Sequence, residues 1–255
     1  MLKIIQVGHV EASDRYIRNK VRAVQTAGLE AEVVNLDQES TTEDVIKAVY
    51  KAMLDKKCAA IIVQLPLPEH IDTTQVFNAI PSHKDIDGLN PRSDYKPLTP
   101  SAIMRWLDEQ HIPLRGKNVA ILGRSNLVGK PLANMMIDAG ATVTVMNSKT
   151  PVQETYRFCR EADIIVSAVG KPNTVTYDHV LTGEPQVIID VGINRDANGN
   201  LCGDVAASVR EFFAEHGDIC TPVPGGVGKW TVRELVLRLK EMEERHAQNI
   251  MRIYS

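Results

Sequence analysis

Long apolar runs are missing from this sequence, and none approaches the roughly 20 residues that span a bilayer. Its start, MLKIIQVGHVEAS, holds too short an apolar stretch for a secretory signal. Cysteine is scarce and scattered: Cys58, Cys159, Cys202 and Cys220 form no CxxC pair. A disulfide framework or zinc site is therefore not expected, and a reducing, cytoplasmic setting is. Aromatics make up only 5%, too few for a base-stacking platform. No large excess of one charge sign exists either. A net −3 argues against a chain built to coat nucleic acid or an anionic membrane, and leaves room only for local basic pockets.

The 255 residues, 44% hydrophobic and 24% charged, suffice for one large domain or two small ones. Strand and helix signals alternate from the first residues. Leu2–Val7 reads as a strand ending at Gly8. Ser13 or Asp14 can cap a helix running to about Ala27, with Gly28 as its stop. Ala31–Val34 is a second strand, Thr41-Thr42-Glu43 opens a helix to about Lys56, and Ala59–Val63 is a third strand. This βαβαβ order predicts a parallel sheet covered by helices. Pro81, Pro91, Pro97 and Pro100 mark residues 81–100 as a long loop. Thr99-Pro100 then starts a helix to about Gln110. The pattern restarts with strands at Val119–Leu122, Thr142–Met146, Ile164–Ala168 and Val187–Asp190. Helices are expected at Leu127–Ala139 and Val152–Glu161, and a long amphipathic one over Thr231–Met251. The expected fold is α/β in two units, divided near residues 111–117.

Five segments could carry chemistry. GRSNLVG, Gly123 to Gly129, sits between a strand and a helix, where glycines let backbone approach a phosphate at a helix N-terminus. It is a GxSxxxG variant of the dinucleotide GxGxxG turn, and a plain tight turn is the alternative. The next strand ends in Asn147, Ser148 and Lys149 without the acid that would take a ribose hydroxyl. A hydroxyl and a cation there, joined by Arg124, suit a 2′-phosphate, which favours NADP over NAD. Tyr16 and Lys20 are spaced i,i+4 on one helix face; by pattern alone such pairs are usually solvated surface, and the lysine could transfer protons only if burial lowered its pKa. Gln64, in VQLPLP, stands at the carboxyl end of a strand, where open α/β sheets bind ligands. KDIDG, with Asp85 and Asp87, reads as a turn rather than a metal site. TPVPGGVG, from Thr221 to Gly228, is dense enough in glycine to bring backbone near a planar ligand. His9 and His179 look like isolated surface histidines.

Taken together and in order, YIRNK (16–20), VQLPLP (63–68), KDIDG (84–88), GRSNLVGKP (123–131), SKT (148–150), ADIIVSAVGKP (162–172), VIIDVGIN (187–194), GDV (203–205) and TPVPGGVG (221–228) resemble the bifunctional methylenetetrahydrofolate dehydrogenase/methenyltetrahydrofolate cyclohydrolase family. The matches span almost the whole chain. The resemblance implies a βαβαβ substrate domain over residues 1–111, completed by a C-terminal helix over 231–255. It implies a Rossmann-like NADP-binding domain over 112–230, a folate cleft between the two, and a homodimer. It places Lys20 at the centre of catalysis, with Tyr16 stacking on the folate, Gln64 tuning the lysine and Asp87 binding the pterin. Val63, Leu65, Pro66, Pro224, Gly225 and Gly226 would line the substrate site. Gly123, Arg124, Ser125, Val128, Gly129, Ser148, Lys149, Gly170 and Ile193 would hold NADP.

The reaction so implied is hydride transfer from the substrate's methylene carbon to NADP, then hydrolysis of the methenyl product to 10-formyltetrahydrofolate with Lys20 assisting proton transfer. An amine acts as a base at neutral pH only if its surroundings lower its pKa. The chain departs from the family at four places. Leu98 replaces a cysteine, and Asn147 replaces a histidine. Lys229 and Trp230 replace Pro-Met, which puts a cation and a bulky ring beside the expected cleft. The helical segment that members carry before the first strand is not in this sequence, so the C-terminal helix is expected to compensate or the domain to be more open. A single-activity dehydrogenase, a non-catalytic folate or nucleotide binder, and a shikimate-type reductase are the alternatives. Retention of Tyr16, Lys20, Gln64 and Asp87 together speaks against the binder, and VQLPLP and TPVPGGVG speak against the reductase.

Overall fold

The structure, a computed structural model, describes residues 1–9, 11–181 and 185–254. Chain contacts divide it into two units, Met1–Leu98 with Val232–Ser255 and Thr99–Thr231. The first unit holds β1 (Leu2–Val7), α1 (Glu11–Thr26), β2 (Ala31–Leu36), α2 (Thr42–Leu54), β3 (Ala60–Val63) and α3 (Thr73–Ala79). Its sheet is parallel in the order β2-β1-β3. Strand alternation sorts its core. Leu2 and Ile4 pack with Ile17 and Val24 of α1 and with Leu235, Leu239 and Met242. Ile5 and Val7 pack with Val45 and Val49 of α2 and Val76 of α3. With helices on both faces, β1 is buried at every position, as a central parallel strand must be.

Local signals set most helix ends here. Thr41 and Asp44 form a reciprocal capping box on α2, and Asp72 caps α3 through the Gln75 amide. Gly28, at φ 76°, follows α1 in the left-handed conformation that a helix stop favours. Two expectations shift. Helix α1 begins at Glu11, so Ser13 is buried inside it rather than capping it. The proline-rich stretch from 81 is also more ordered than a long loop. It contains a 3₁₀ turn, Ser82–Lys84, and Asp85 forms a β-bridge with Ile61.

The second unit follows with α4 (Leu98–Glu109), β4 (Asn118–Leu122), α5 (Gly129–Asp138), β5 (Thr142–Met146), α6 (Val152–Arg160), β6 (Ile164–Ser167) and β7 (Val187–Asp190). A small antiparallel pair, β8 (Asn194–Arg195) and β9 (Leu201–Cys202), precedes α7 (Ala207–His216) and β10 (Ile219–Cys220). The last helix, α8 (Val227–Tyr254), begins in this unit. The main sheet is parallel in the order β10-β7-β6-β4-β5, so the strand order reverses between β4 and β6. Val119 and Ile121 face a core shared with α4 and α5. Ala120 and Leu122 face the opposite core, shared with α6 and α7. By this packing α4 beyond Leu98 belongs to the second unit, against the expected division near residue 111, because Ile103 and Leu107 are buried on β4 and α5.

Helix α8 starts at Val227, not Thr231, so the end of TPVPGGVG is helical. Trp230 therefore sits in the first turn, and its ring stacks on Trp106 of α4 at 4.3 Å and 12°. The ring expected beside a cleft thus packs against the core of its own unit, while Lys229 is exposed.

Candidate active site

In the first unit, α1 carries Tyr16 and Lys20 one turn apart. Lys20 is 9% exposed, and its Nζ donates to Gln64 Oε1 at 3.2 Å. Gln64 follows β3, where its backbone N–H pairs with Ile5 O. Its Nε2 donates to Leu65 O at 2.7 Å, which leaves Oε1 as the acceptor turned to the lysine. An ammonium has three donors, so two protons of Lys20 stay available to a ligand. Tyr16 is half-buried, and that burial pushes its phenol above its ordinary pKa. Val63 is buried at the end of β3, whereas Leu65 is half-buried and Pro66 exposed across a cis peptide.

Asp87 is half-buried on a loop fastened from three sides. Asp85, fully buried, accepts from Gly88 N–H and Asn90 N–H. Burial raises its pKa, and those amides act against the rise. The buried Lys84 donates to Met53 O and Cys58 O, so its cation sits at the carbonyl end of α2. From α8, the buried Arg238 donates to Ile86 O at 2.9 Å and Lys96 O at 2.7 Å. Sequence patterning did not single out Arg238, whose role depends on a helix far along the chain.

In the second unit, the Gly123–Gly129 turn leaves β4 where the strand order reverses, the place at which open α/β sheets bind ligands. The two glycines are there for different contacts. Gly123 has φ 110° and lies against Ala168 O. Gly129 lies against Gly123 O, so a side-chain carbon would force α5 away from the turn. Ser125 Oγ accepts from Val128 N–H at 3.1 Å and Gly129 N–H at 3.4 Å, which caps α5. With both lone pairs so used, its proton remains to be donated.

A cavity of about 710 Å³ opens beside this turn. Gly123, Arg124, Ser125 and Ser148 line it, with Asn147 and Thr150. Lys149 is exposed on the same turn, and its N–H donates to Asn147 Oδ1. The far wall comes from Tyr156, Lys171, Asn173, Thr174, Thr176 and His179, none of which sequence reasoning chose. Lys171 directly follows Gly170, the one residue of its segment that the resemblance assigns to NADP. His179 is not a surface residue. It is 6% exposed, accepts from Thr176 N–H through Nδ1, and meets the Tyr156 ring edge-on. Burial holds its pKa below the ordinary value.

The remaining expected positions behave differently. Gly170 is exposed, yet its N–H points inward to Asp204 rather than outward. Ile193 is 45% exposed, and Val128 is half-buried at the start of α5. Pro224 and Gly225 are exposed after a cis Val223–Pro224 bond, while Gly226 is buried and donates to Pro222 O. Among the described residues no cluster of three or more His, Cys, Asp or Glu could hold a metal ion. Nor is any described helix long and apolar enough to cross a membrane.

Comparison with known proteins gives the same answer for both halves. Residues 1–87 match the family described as tetrahydrofolate dehydrogenase/cyclohydrolase, catalytic domain. Residues 97–247 match tetrahydrofolate dehydrogenase/cyclohydrolase, NAD(P)-binding domain. The chain is 42% identical to the bifunctional protein FolD of Streptococcus agalactiae over 92% of its own length and 84% of that protein. It is similar in structure to the bifunctional FolD methylenetetrahydrofolate dehydrogenase/cyclohydrolase of Campylobacter jejuni, with a TM-score of 0.87 and 34% identity, covering 96% and 88% of the two chains. The Trypanosoma brucei N5,N10-methylenetetrahydrofolate dehydrogenase-cyclohydrolase, solved with NADP cofactor and inhibitor, matches with a TM-score of 0.87 and 32% identity, covering 96% and 86%.

Proposed function

The chain belongs to the tetrahydrofolate dehydrogenase/cyclohydrolase family, and on that premise we propose that it oxidises 5,10-methylenetetrahydrofolate to 5,10-methenyltetrahydrofolate with NADP and hydrolyses that product to 10-formyltetrahydrofolate. The observation that carries the reading is the Lys20–Gln64 contact, with Tyr16 on the same face of α1. A binding-only relative has no use for a buried amine oriented by an amide that is itself tied to backbone.

The residues of the second unit fit the cofactor. Gly123 and Gly129 let the turn pack tightly against Ala168 and on itself at the start of α5, Ser125 has a free hydroxyl proton, and the cavity lies at the strand-order reversal. Arg124, Ser148 and Lys149 would hold the 2′-phosphate, and no acid stands among them to repel it. When bound, NADP accepts the hydride from the methylene carbon of the substrate. The chain's own residues do the rest. Tyr16 offers a ring on which a pterin or aminobenzoyl plane can stack. Asp87 orients the pterin, and Val63, Leu65 and Pro66 flank Gln64 in the sequence on the same unit. Lys20 moves a proton between Nζ and the water that adds to the methenyl carbon, and Gln64 Oε1 fixes the direction in which that nitrogen points. Activity is expected in the cytoplasm and as a homodimer.

An absorbance assay with methylenetetrahydrofolate and NADP tests both halves. The expected record is NADP reduction together with methenyl formation, followed by methenyl decay faster than in buffer. Absence of NADP reduction at saturating substrate removes the dehydrogenase. Methenyl that accumulates and decays only at the buffer rate removes the cyclohydrolase.

A further inference from the structure

Two buried aspartates of the second unit have no part in the reading above. Asp190 ends β7 and Asp204 follows β9, and neither exposes any surface. Asp204 Oδ2 accepts from Ser167 Oγ at 2.9 Å, Val169 N–H at 2.8 Å and Gly170 N–H at 3.1 Å. Its Oδ1 accepts from Lys171 N–H and Asn194 Nδ2, both at 2.9 Å. Asp190 accepts in turn from the N–H groups of Gly192, Asp204 and Val205, and it pairs with Arg210. Its own N–H donates to Thr221 Oγ1 at 2.8 Å. The glycines beside them are required. A side-chain carbon at Gly192 would strike the Asp204 carboxylate, and one at Gly203 would strike that of Asp190. The VIIDVGIN and GDV segments thus share one physical purpose.

Three successive amides converging on an anion form a nest, an arrangement proteins use to bind phosphate. Here the nest formed by residues 169 to 171 is filled by the chain's own carboxylate. Those amides therefore have nothing left for a diphosphate, which leaves that role to the Gly123–Gly129 turn. What the loop offers a ligand is its outer face, where Val169 and Lys171 line the cavity. Asp204 also holds the next wall segment, because Val175 N–H donates to its backbone carbonyl at 3.1 Å and Thr174 and Thr176 flank that residue in the lining.

We propose that Asp204 is a positioning residue for the dinucleotide, holding the loop after β6 and Asn194 in the shape that the cofactor meets, while Asp190 and Arg210 fix Asp204. This deepens the NADP reading and rests on it. The test is Asp204→Asn, which keeps the size and one acceptor oxygen. Its amide nitrogen would face Lys171 N–H and Asn194 Nδ2, donor against donor. The purified full-length protein is titrated with NADP by calorimetry well below its melting temperature, and melting is recorded in parallel. Because hydrogen bonds to a charged group are at stake, the Kd and KM for NADP are expected to rise about tenfold or more, while the KM for methylenetetrahydrofolate moves less than about threefold. A lower Tm with an unchanged NADP Kd marks a role in the fold only and overturns the proposal. Ser167→Ala removes a single donor and is expected to weaken NADP by roughly two- to fivefold. If Asp204→Asn does not fold, an unchanged Kd in Ser167→Ala overturns the proposal instead. Wild-type protein that fails to bind NADP overturns the functional reading itself, and is told apart because no variant is involved.

Discussion

Replacing Lys20 by methionine separates chemistry from stability. The side chain is 9% exposed, and its ammonium donates to the neutral Gln64 Oε1 at 3.2 Å. Losing a hydrogen bond made by a charged group costs about 1.5–3 kcal/mol. Against that stands the cost of burying a polar amine, which methionine does not incur. Methionine also keeps most of the stem volume. These terms oppose each other, so net stability should change by about 1 kcal/mol or less, or roughly 2–4 °C in Tm for a chain of this size. Catalysis has no such compensation. A positioned proton-transfer group contributes about 10²–10⁴ in rate, so enzyme-dependent methenyl hydrolysis should fall by that factor. NADP affinity should be unchanged, since every residue lining the nucleotide cavity lies in the other unit. The assay follows methenyl decay by absorbance with the buffer rate subtracted, beside a thermal melt and an NADP titration. A folded variant that hydrolyses methenyl within about threefold of wild type would refute proton transfer by Lys20.

Three further outcomes are expected. Gly129→Ala places a carbon against Gly123 O, backbone that cannot yield, so α5 must shift at a cost of about 1–3 kcal/mol. Calorimetry should then show clearly weaker NADP binding, and unchanged affinity would place the diphosphate elsewhere. Arg124→Ser combined with Lys149→Gln should lower the NADP-to-NAD ratio of kcat/KM by about tenfold or more, because charge-assisted contacts to the 2′-phosphate are lost. An unmoved ratio would mean that these two cations do not read the phosphate. His179 has its pKa lowered by burial, with Asp178 and Arg160 acting in opposite directions on it. A depressed folded pKa stabilises above the unfolded value and loses that stabilisation as pH falls, so Tm should drop once pH goes below about 6.5. His179→Gln should flatten that part of the Tm profile, and an equally steep profile would assign the acid sensitivity to other groups.

The central strands were legible because each is an apolar run closed by glycine, proline or a polar turn, as with Leu2–Val7 before Gly8. Helix starts were less so. The GGVG run reads as loop chemistry, yet Val227 and Gly228 already lie in the first turn of α8, where glycine is tolerated. Short elements such as α3 and β10 hold too few residues for a period to show. The motifs named Lys20 and Gln64 separately, but only the pairing of β1 with β3 brings them within 3.2 Å. His179 was read as surface because burial is a tertiary property, set by Tyr156 and the segment around Thr176. The Asp190 and Asp204 network was illegible for the same reason. Its donors come from residues 167 to 210, and nothing local in GDV announces a filled nest.

The stacked rings of Trp106 and Trp230 have an optical consequence. They are the chain's two tryptophans, so all its indole absorption comes from a single parallel pair with centroids 4.3 Å apart. The two rings keep that contact only while α4 and the first turn of α8 hold them, so the near-ultraviolet indole signal reports on their packing. Both rings belong to the second unit, whereas Tyr16, Tyr50 and Tyr95 belong to the first. One melt followed at the indole band and again by far-ultraviolet dichroism therefore reveals, without any label, whether the two halves unfold in one transition or in two.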